Sequence, residues 1–259
     1  MTKKPKNKSN MSEQIEKDKI YNCDCLEGMK HIPNASIDAI ICDLPYGTTA
    51  NKWDSIIPFD KLWEQYKRII KPTAPIVLFG SEPFSTYLRM SNIAWFRYDW
   101  IWEKEQGGNF MLCKYQPYKV HEIISVFSKG SHTYNPQMEK GDPYISGKGT
   151  SGDNFGNVQK VQTVNEGTRY PRSIRKVATE KSDPMSFHPT QKPVDLLRYL
   201  IRTYSNEGDT ILDNCMGSGT TAVACIKEKR HFIGFELNKD YYDKACRRID
   251  AERRQLSLF

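Results

Sequence analysis

Short apolar runs bounded by polar and turn residues set the frame of this chain. Ala39–Cys42, Pro75–Gly80, Thr210–Leu212 and His231–Phe235 are continuous and brief, as fully buried strands are. Between them the apolar period lengthens to that of a helix. Phe59, Leu62, Trp63, Tyr66, Ile69 and Ile70 fall on one face over Phe59–Ile70. Helices are also expected at about Leu26–His31, Pro83–Met90, Pro193–Ser205 and Lys239–Gln255, and after the glycines at Gly217 and Gly219. Ile20–Asn22 predicts a short strand, and Trp95–Trp102 and Val120–Phe127 two more with a loop between them. Tyr170–Val177 has the look of a basic strand. Strands alternating with helices predict an α/β protein with a parallel sheet.

Two stretches break the alternation. Met1 to roughly Lys19 is polar and lysine-rich, with Lys3, Lys4, Lys6 and Lys8 close together, and is expected to be a flexible basic tail. From Ser131 to about Thr168, Gly, Lys, Ser, Thr, Asn and Asp dominate. So long a polar run inside a compact domain is either functional or disordered. The expected organisation is therefore a tail over 1–19 and a single domain over 20–259.

Composition narrows the class. The 259 residues suffice for one sizeable α/β domain with an insertion. No apolar stretch reaches the roughly 18 residues of a membrane span, and the N-terminal lysines precede no apolar core, so a membrane segment or secretory signal is not expected. A formal net charge of +7 favours a polyanionic partner, though only mildly. The 7 cysteines show no paired spacing of zinc type, and most lie in apolar runs. Reduced thiols in a cytoplasmic protein, with no metal site, are the expectation. Lys244, Arg247, Arg248, Arg253 and Arg254 on the last helix read as a solvated face.

Candidate chemistry concentrates at two strand ends. Asp43-Leu44-Pro45-Tyr46-Gly47 directly follows the Ala39–Cys42 run. The carboxylate can accept a hydrogen bond from an amino group. Pro45 restricts Leu44 to extended backbone and so sets the direction of its carbonyl. Tyr46 offers a flat face for stacking. These suit a planar heterocycle with an exocyclic NH2, but taken alone the pentapeptide is equally an ordinary strand-to-turn junction. Downstream, Thr210–Asp213 leads through Asn214-Cys215-Met216-Gly217-Ser218-Gly219-Thr220-Thr221 into a helix. Gly217 and Gly219 let backbone approach a ligand, and the helix N-terminus points N–H groups at it. Glu236 ends the next strand, 23 residues after Asp213, where an acid can reach ribose hydroxyls.

Together these segments resemble the amino-group DNA methyltransferases of the β arrangement, in which the catalytic motif precedes the glycine turn. Asp43-Leu44-Pro45-Tyr46, the Asp213–Thr221 turn, His188-Pro189-Thr190-Gln191-Lys192-Pro193 and Asn22–Met29 carry the resemblance, which covers roughly residues 20 to 250. It departs in two places. Leu44 replaces the first of two prolines, and Asn214-Cys215-Met216 replaces a Pro-Phe-Ala-like run.

The resemblance implies a Rossmann-like S-adenosylmethionine-dependent methyltransferase fold, with seven mostly parallel strands and circularly permuted motif order. It implies S-adenosylmethionine as cofactor and double-stranded DNA as substrate, with the target base flipped out. Asp43 and the Leu44 carbonyl would hold the target amine, and Tyr46 would stack on the base. Asp24 and Cys25 would lie by the cofactor adenine and Glu236 on its ribose. Gly217, Gly219 and Thr220 would lie under its methionine portion, where Asp213 would serve or hold the turn, and Thr190 and Lys192 near its carboxylate. A target-recognition insertion is expected at about 131–187. Arg169, Arg172, Arg175 and Lys176 are candidates for phosphate contacts and equally for solvated strand charges. Asp43, Gly47 and Trp53-Asp54 resemble the adenine-N6 enzymes more than the cytosine-N4 enzymes. Cytosine-N4 methylation stays open, whereas the order of motifs and the basic insertion argue against an RNA or protein-amide target, and the retained Asp43, Tyr46 and glycine turn argue against a catalytically silent DNA-binding protein of this fold. A homodimer, a companion restriction endonuclease, and a bacterial or phage-encoded cytoplasmic setting stay open too.

Overall fold

The computed structural model describes residues 15–48, 54–146, 162–179 and 191–256. Along the chain the sheet strands are β1 (Lys19–Tyr21), β2 (Ala39–Cys42), β3 (Ile76–Gly80), β4 (Phe96–Glu103) and β5 (His121–Phe127). The short pairs β6 (Glu139–Lys140), β7 (Tyr144–Ile145), β8 (Val164–Asn165) and β9 (Thr168–Arg169) follow, and then β10 (Ile174–Lys176), β11 (Thr210–Asp213) and β12 (His231–Phe235). The helices are α1 (Cys25–Met29), α2 (Phe59–Ile69), α3 (Phe84–Ser91), α4 (Val194–Tyr204), α5 (Thr220–Lys227) and α6 (Lys239–Leu256). Among the described residues no helix is long and apolar enough to cross a membrane.

The main sheet has eight strands in the order β1-β12-β11-β2-β3-β5-β4-β10. Every neighbouring pair is parallel except those of β5, which runs antiparallel to β3 and β4. Seven strands with one reversed hairpin strand match the expectation. The eighth, β10, extends the edge, with Ile174 beside Ile101 and the Ser173 carbonyl accepting from Ile101 N at 2.8 Å. Of the basic strand expected over Tyr170–Val177, only Ile174–Lys176 pairs.

The central strands are buried on both faces because successive side chains alternate sides. Ala39, Ile41, Val77, Phe79 and Ile211 pack with α4, α5 and α6. Ile40, Cys42, Ile76, Leu78 and Leu212 pack with α1, α2 and α3. Each fully buried Ile or Leu contributes about 1.5–3 kcal/mol of transfer free energy. Helix α1 sits so tightly on β12 that a Cβ at Gly28 would lie 2.3 Å from the Phe235 ring.

Two boundaries need correction. The described end of the supposed tail, Ile15–Lys19, belongs to the domain: Ile15 is buried, and Asp18 pairs with His231 and accepts from Phe232 N. A single isoleucine in a polar run gave too little pattern to show this. The insertion is also narrower than expected. Thr133 still bonds Thr73 and His132 still bonds Ser128, whereas Asn135–Arg172 forms a compact unit of its own. Within that unit β6 pairs β9 and β7 pairs β8, both antiparallel. Asn165 Oδ1 organises the tight turn by accepting from Gly167 N at 2.9 Å and Thr168 N at 3.1 Å, with Gly167 at φ +101°.

Candidate active site

Strands β2, β11 and β12 are adjacent and parallel, so Asp43, Asp213 and Glu236 all reach the same edge of the sheet. The chain winds outward in opposite directions from β2 and β11, and parallel sheets bind ligands at the carboxyl ends of strands at such a switch. A cavity of about 410 Å³ opens there, lined by Asp24, Asp43, Tyr46, Lys192, Gly217 and Glu236 among others.

On one side lies a charge cluster around Asp43. Its Oδ1 accepts from the Tyr46 hydroxyl at 2.6 Å, and its Oδ2 from Lys192 Nζ at 2.5 Å. A quarter of the Asp43 side chain, 26 %, remains open, while Lys192 is 8 % exposed. Lys192 Nζ also lies 3.4 Å from Glu122 Oε2 and 5.3 Å from the centre of the Phe79 ring. Glu122 Oε1 is paired with Lys104. Burial pushes the Asp43 carboxyl above the ordinary range, with Lys192 opposing it. Burial pulls the Lys192 ammonium down, but Asp43 and Glu122 more than offset this and hold its pKa above the ordinary value. Burial and Asp43 likewise keep Tyr46 a hydroxyl, so it remains a donor.

The loop after Asp43 is held by its own hydrogen bonds. Leu44 is buried, and Asp54 accepts from Gly47 N at 2.8 Å and Thr48 N at 2.9 Å. Gly47 takes φ +68°, a conformation that favours glycine. The Tyr46 ring rests on Phe84, centroids 5.0 Å apart.

On the other side is the glycine turn. Asp213 is 4 % exposed, and its two oxygens accept from Cys215 N at 3.0 Å and the Thr221 hydroxyl at 2.6 Å. Burial pushes its carboxyl up to about 6 against those hydrogen bonds. Of the two roles left open for Asp213, these bonds are those of a residue holding the turn. Gly217 and Gly219 have φ +53° and +79°. Gly217 N donates to Glu236 Oε2 at 2.8 Å, and Asn238 N to Glu236 Oε1 at 2.7 Å. A carboxylate has roughly four acceptor sites, so both oxygens are aimed yet can still receive hydroxyl donors. Burial raises the Glu236 carboxyl above its usual range.

Asp24 caps α1, accepting from Leu26 N at 2.8 Å and Glu27 N at 3.2 Å, and is exposed at the cavity. Buried and half-buried thiols lie around the turn. Asn214 donates to Cys215 Sγ at 3.4 Å and Cys25 Sγ at 3.7 Å. Burial and Asp24 push the Cys23 thiol up to about 11, and burial pushes Cys42 up to about 12. Cys25 rises through its hydrogen bond to Cys215 and through burial. For Cys215 the bond with Cys25 is opposed and outweighed by that with Cys42 and by burial.

Several residues sit otherwise than their sequence context suggested. Lys192, expected at the cofactor carboxylate, has its ammonium hydrogen-bonded to Asp43 and 3.4 Å from Glu122. Arg248, read as solvated, is 6 % exposed and donates to the Thr220 hydroxyl at 2.9 Å and the Ser218 carbonyl at 3.3 Å, bracing the turn. Thr220 is thereby engaged in that brace. Arg169 donates to Asn165 Oδ1 at 2.5 Å and lies over the Tyr144 ring, and Arg175 lies 4.3 Å from the centre of the Tyr199 ring. Both guanidinium groups serve their own surroundings, whereas Arg172 and Lys176 are exposed. Thr190 lies outside the described residues. Glu122 was missed. Its signal was an acid inside the apolar run His121–Phe127.

The model of the DNA methylase family matches residues 37–247, most of the chain. The chain belongs to the DNA methylase family. This methylase is 29 % identical over 245 residues to the type II methyltransferase M.HpaI of Haemophilus parainfluenzae, covering 88 % of this chain and 72 % of that one. The solved M1.HpyAVI–SAM complex aligns over 88 % of this chain and 98 % of its own, with TM-score 0.60 and 22 % identity. The PvuII cytosine-N4-specific DNA methyltransferase aligns over 90 % of this chain and 86 % of its own, with TM-score 0.66 and 15 % identity. The methylase is thus an amino-methyltransferase of this family, and its cofactor is S-adenosylmethionine. The residues present fit that group. A carboxylate pinned by two backbone N–H groups faces the cavity, and the positive-φ Gly217 lines it beside that carboxylate.

Proposed function

We propose that the chain methylates the exocyclic N6 of adenine at a specific sequence in duplex DNA, with the target base flipped out of the helix. One observation carries this reading. The Asp43 carboxylate, held by Tyr46 and Lys192, shares a single cavity with the glycine turn and Glu236.

When bound, S-adenosylmethionine supplies a methyl group on a sulfonium, which is already electrophilic, so the protein's task is orientation and charge placement. Glu236 holds the ribose, and Asp24 with the Cys25 turn holds the adenine end. Gly217 and Gly219 leave room for the methionine portion, and Asp213, Thr221 and Arg248 keep that turn in shape.

The target amine is a poor nucleophile because its lone pair is conjugated with the ring. Asp43 and the Leu44 carbonyl accept its two N–H groups and favour a tetrahedral nitrogen. Burial makes Asp43 a better proton acceptor than an ordinary carboxylate, so it takes the proton the amine releases. The Tyr46 ring, backed by Phe84, stacks on the base, and its hydroxyl fixes the Asp43 carboxylate. Flipping costs a few kcal/mol, offset by these contacts. Arg172 and Lys176 meet phosphates, and the Asn135–Arg172 unit reads sequence.

Support for adenine comes from Asp43, Gly47 and the Trp53-Asp54 pair. The likeness to a cytosine-N4-specific enzyme is one of fold and does not choose the base. Mass-spectrometric counting of nucleosides from DNA methylated in vitro tests the proposal. N6-methyladenine is expected. N4-methylcytosine would overturn the choice of base, and no transfer from labelled cofactor would overturn the reaction.

A further inference from the structure

One buried acceptor in the cavity lacks a hydrogen bond. Glu122 Oε2 has none among the described residues, and Lys192 Nζ stands 3.4 Å from it as an ion-pair contact only. The other oxygen, Oε1, is taken by Lys104. A buried carboxylate oxygen left without a donor is costly. The cost disappears if a donor moves in. Lys192 is that donor, because its ammonium carries three N–H groups and bonds Asp43 Oδ2 on the neighbouring side.

The same geometry poses a problem at Asp43. Tyr46 holds Oδ1, and a charged ammonium at 2.5 Å holds Oδ2. A neutral amine approaching Asp43 competes with a charge-assisted bond, which is roughly twice as strong as a neutral one. An ammonium on Asp43 also opposes proton transfer to it.

We infer that Glu122 is a second station for the Lys192 ammonium. Lys192 moves from Asp43 to Glu122 Oε2 when the target amine takes its place on Asp43, and Glu122 is a positioning residue for methyl transfer. The inference rests on the reading of Asp43 as the holder of the target amine. The shift is small, from 3.4 Å to a hydrogen-bond distance of about 2.8 Å. It leaves the total charge of the cluster unchanged. Once the ammonium has moved, the proton released by the amine passes to Asp43, and its bonding pair stays on nitrogen. The titratable and charged groups facing this event are Cys42 at the end of β2, Asp43 and Tyr46 after it, Lys104 after β4, Glu122 on β5, Lys192 before α4 and Asp213 at the end of β11.

The test compares Glu122→Gln, Lys192→Met and the double variant in the full chain, by single-turnover methyl transfer from labelled cofactor over a range of pH. Calorimetric cofactor affinity is measured alongside. Glu122→Gln is expected to slow transfer roughly ten- to a hundredfold, the equivalent of losing a charged hydrogen bond. Cofactor affinity should stay within about twofold. The acid limb of its pH profile should move to lower pH, because Lys192 then never leaves Asp43. The double variant should be no slower than Lys192→Met alone. A wild-type rate in Glu122→Gln, losses that multiply in the double variant, or a parallel fall in cofactor affinity would each overturn the inference. Asp43→Ala separates the two levels. Normal turnover in that variant sinks the amine-holding role itself, whereas lost turnover in Asp43→Ala beside a wild-type rate in Glu122→Gln sinks only the second station.

Discussion

Replacing Glu236 by alanine should weaken cofactor binding and leave DNA binding alone. The carboxylate does two jobs at once. Its oxygens accept from Gly217 N and Asn238 N at 2.8 and 2.7 Å, and its remaining acceptor sites face the cavity where the ribose is proposed to lie. Losing a hydrogen bond to a charged acceptor costs about 1.5–3 kcal/mol, which converts to roughly ten- to 150-fold in affinity. Glu236→Gln keeps one acceptor oxygen but turns an NH2 toward the other backbone donor, so it should fall between wild type and alanine. The pH dependence has a definite sign. Burial raises the Glu236 carboxyl, and the ionised form is the better acceptor, so wild-type cofactor affinity should decline as pH falls toward that raised value. The alanine variant should lack this decline. Calorimetric titration of the cofactor, with a separate duplex titration lacking cofactor, measures both. Cofactor affinity within twofold of wild type in Glu236→Ala, or lost duplex binding with cofactor affinity intact, would refute the placement.

Three further outcomes follow from the same geometry. Tyr46→Phe keeps the ring but frees Asp43 Oδ1, so single-turnover transfer should slow by about tenfold, the value of about 1.4 kcal/mol, with Tyr46→Ala slower still; equal rates for wild type and Phe would remove the hydroxyl from the site. Asp213 binds its proton more tightly folded, at about 6 against 3.8, so its contribution to stability is present below about pH 4 and lost as pH rises through 6. That is on the order of 3 kcal/mol, and urea unfolding of Asp213→Asn should show a correspondingly shallower decline across the window. Gly219→Ala places a Cβ 3.2 Å from that of Ala245 at φ +79°; a loss of about 1–2 kcal/mol is expected in urea unfolding, and an unchanged midpoint would contradict the strained-turn account.

The sheet was legible because its central strands are short apolar runs with nothing polar to confuse the period, and their ends carried the acids. Asp43, Asp213 and Glu236 could each be placed at the end of a strand, and the sheet order then brings them to one edge. What the pattern could not supply was pairing between distant residues. Lys192 precedes a helix by sequence, yet its ammonium is on Asp43, 149 residues away. Arg248 is one of six basic residues of α6, and only the packing of α6 against α5 reveals that this one points inward to Thr220. Glu122 offers the sequence only an acid in a largely apolar strand. The polar stretch after Ser131 hid a small unit because β6 to β9 are each two residues long, too short for any period to register.

The thiols around the glycine turn bear on chemical selectivity. Cys23, Cys25 and Cys215 line the cavity that would receive a methyl donor, and a thiolate is a far stronger nucleophile than a ring-conjugated amine. At neutral pH a thiol of pKa about 11 is ionised in roughly one molecule per ten thousand, and the deeper sulfurs are shifted in the same direction. Burial therefore protects the protein from its own reagent. The sulfurs remain soft, neutral filler, and alkylation is left to the one nucleophile that arrives from outside.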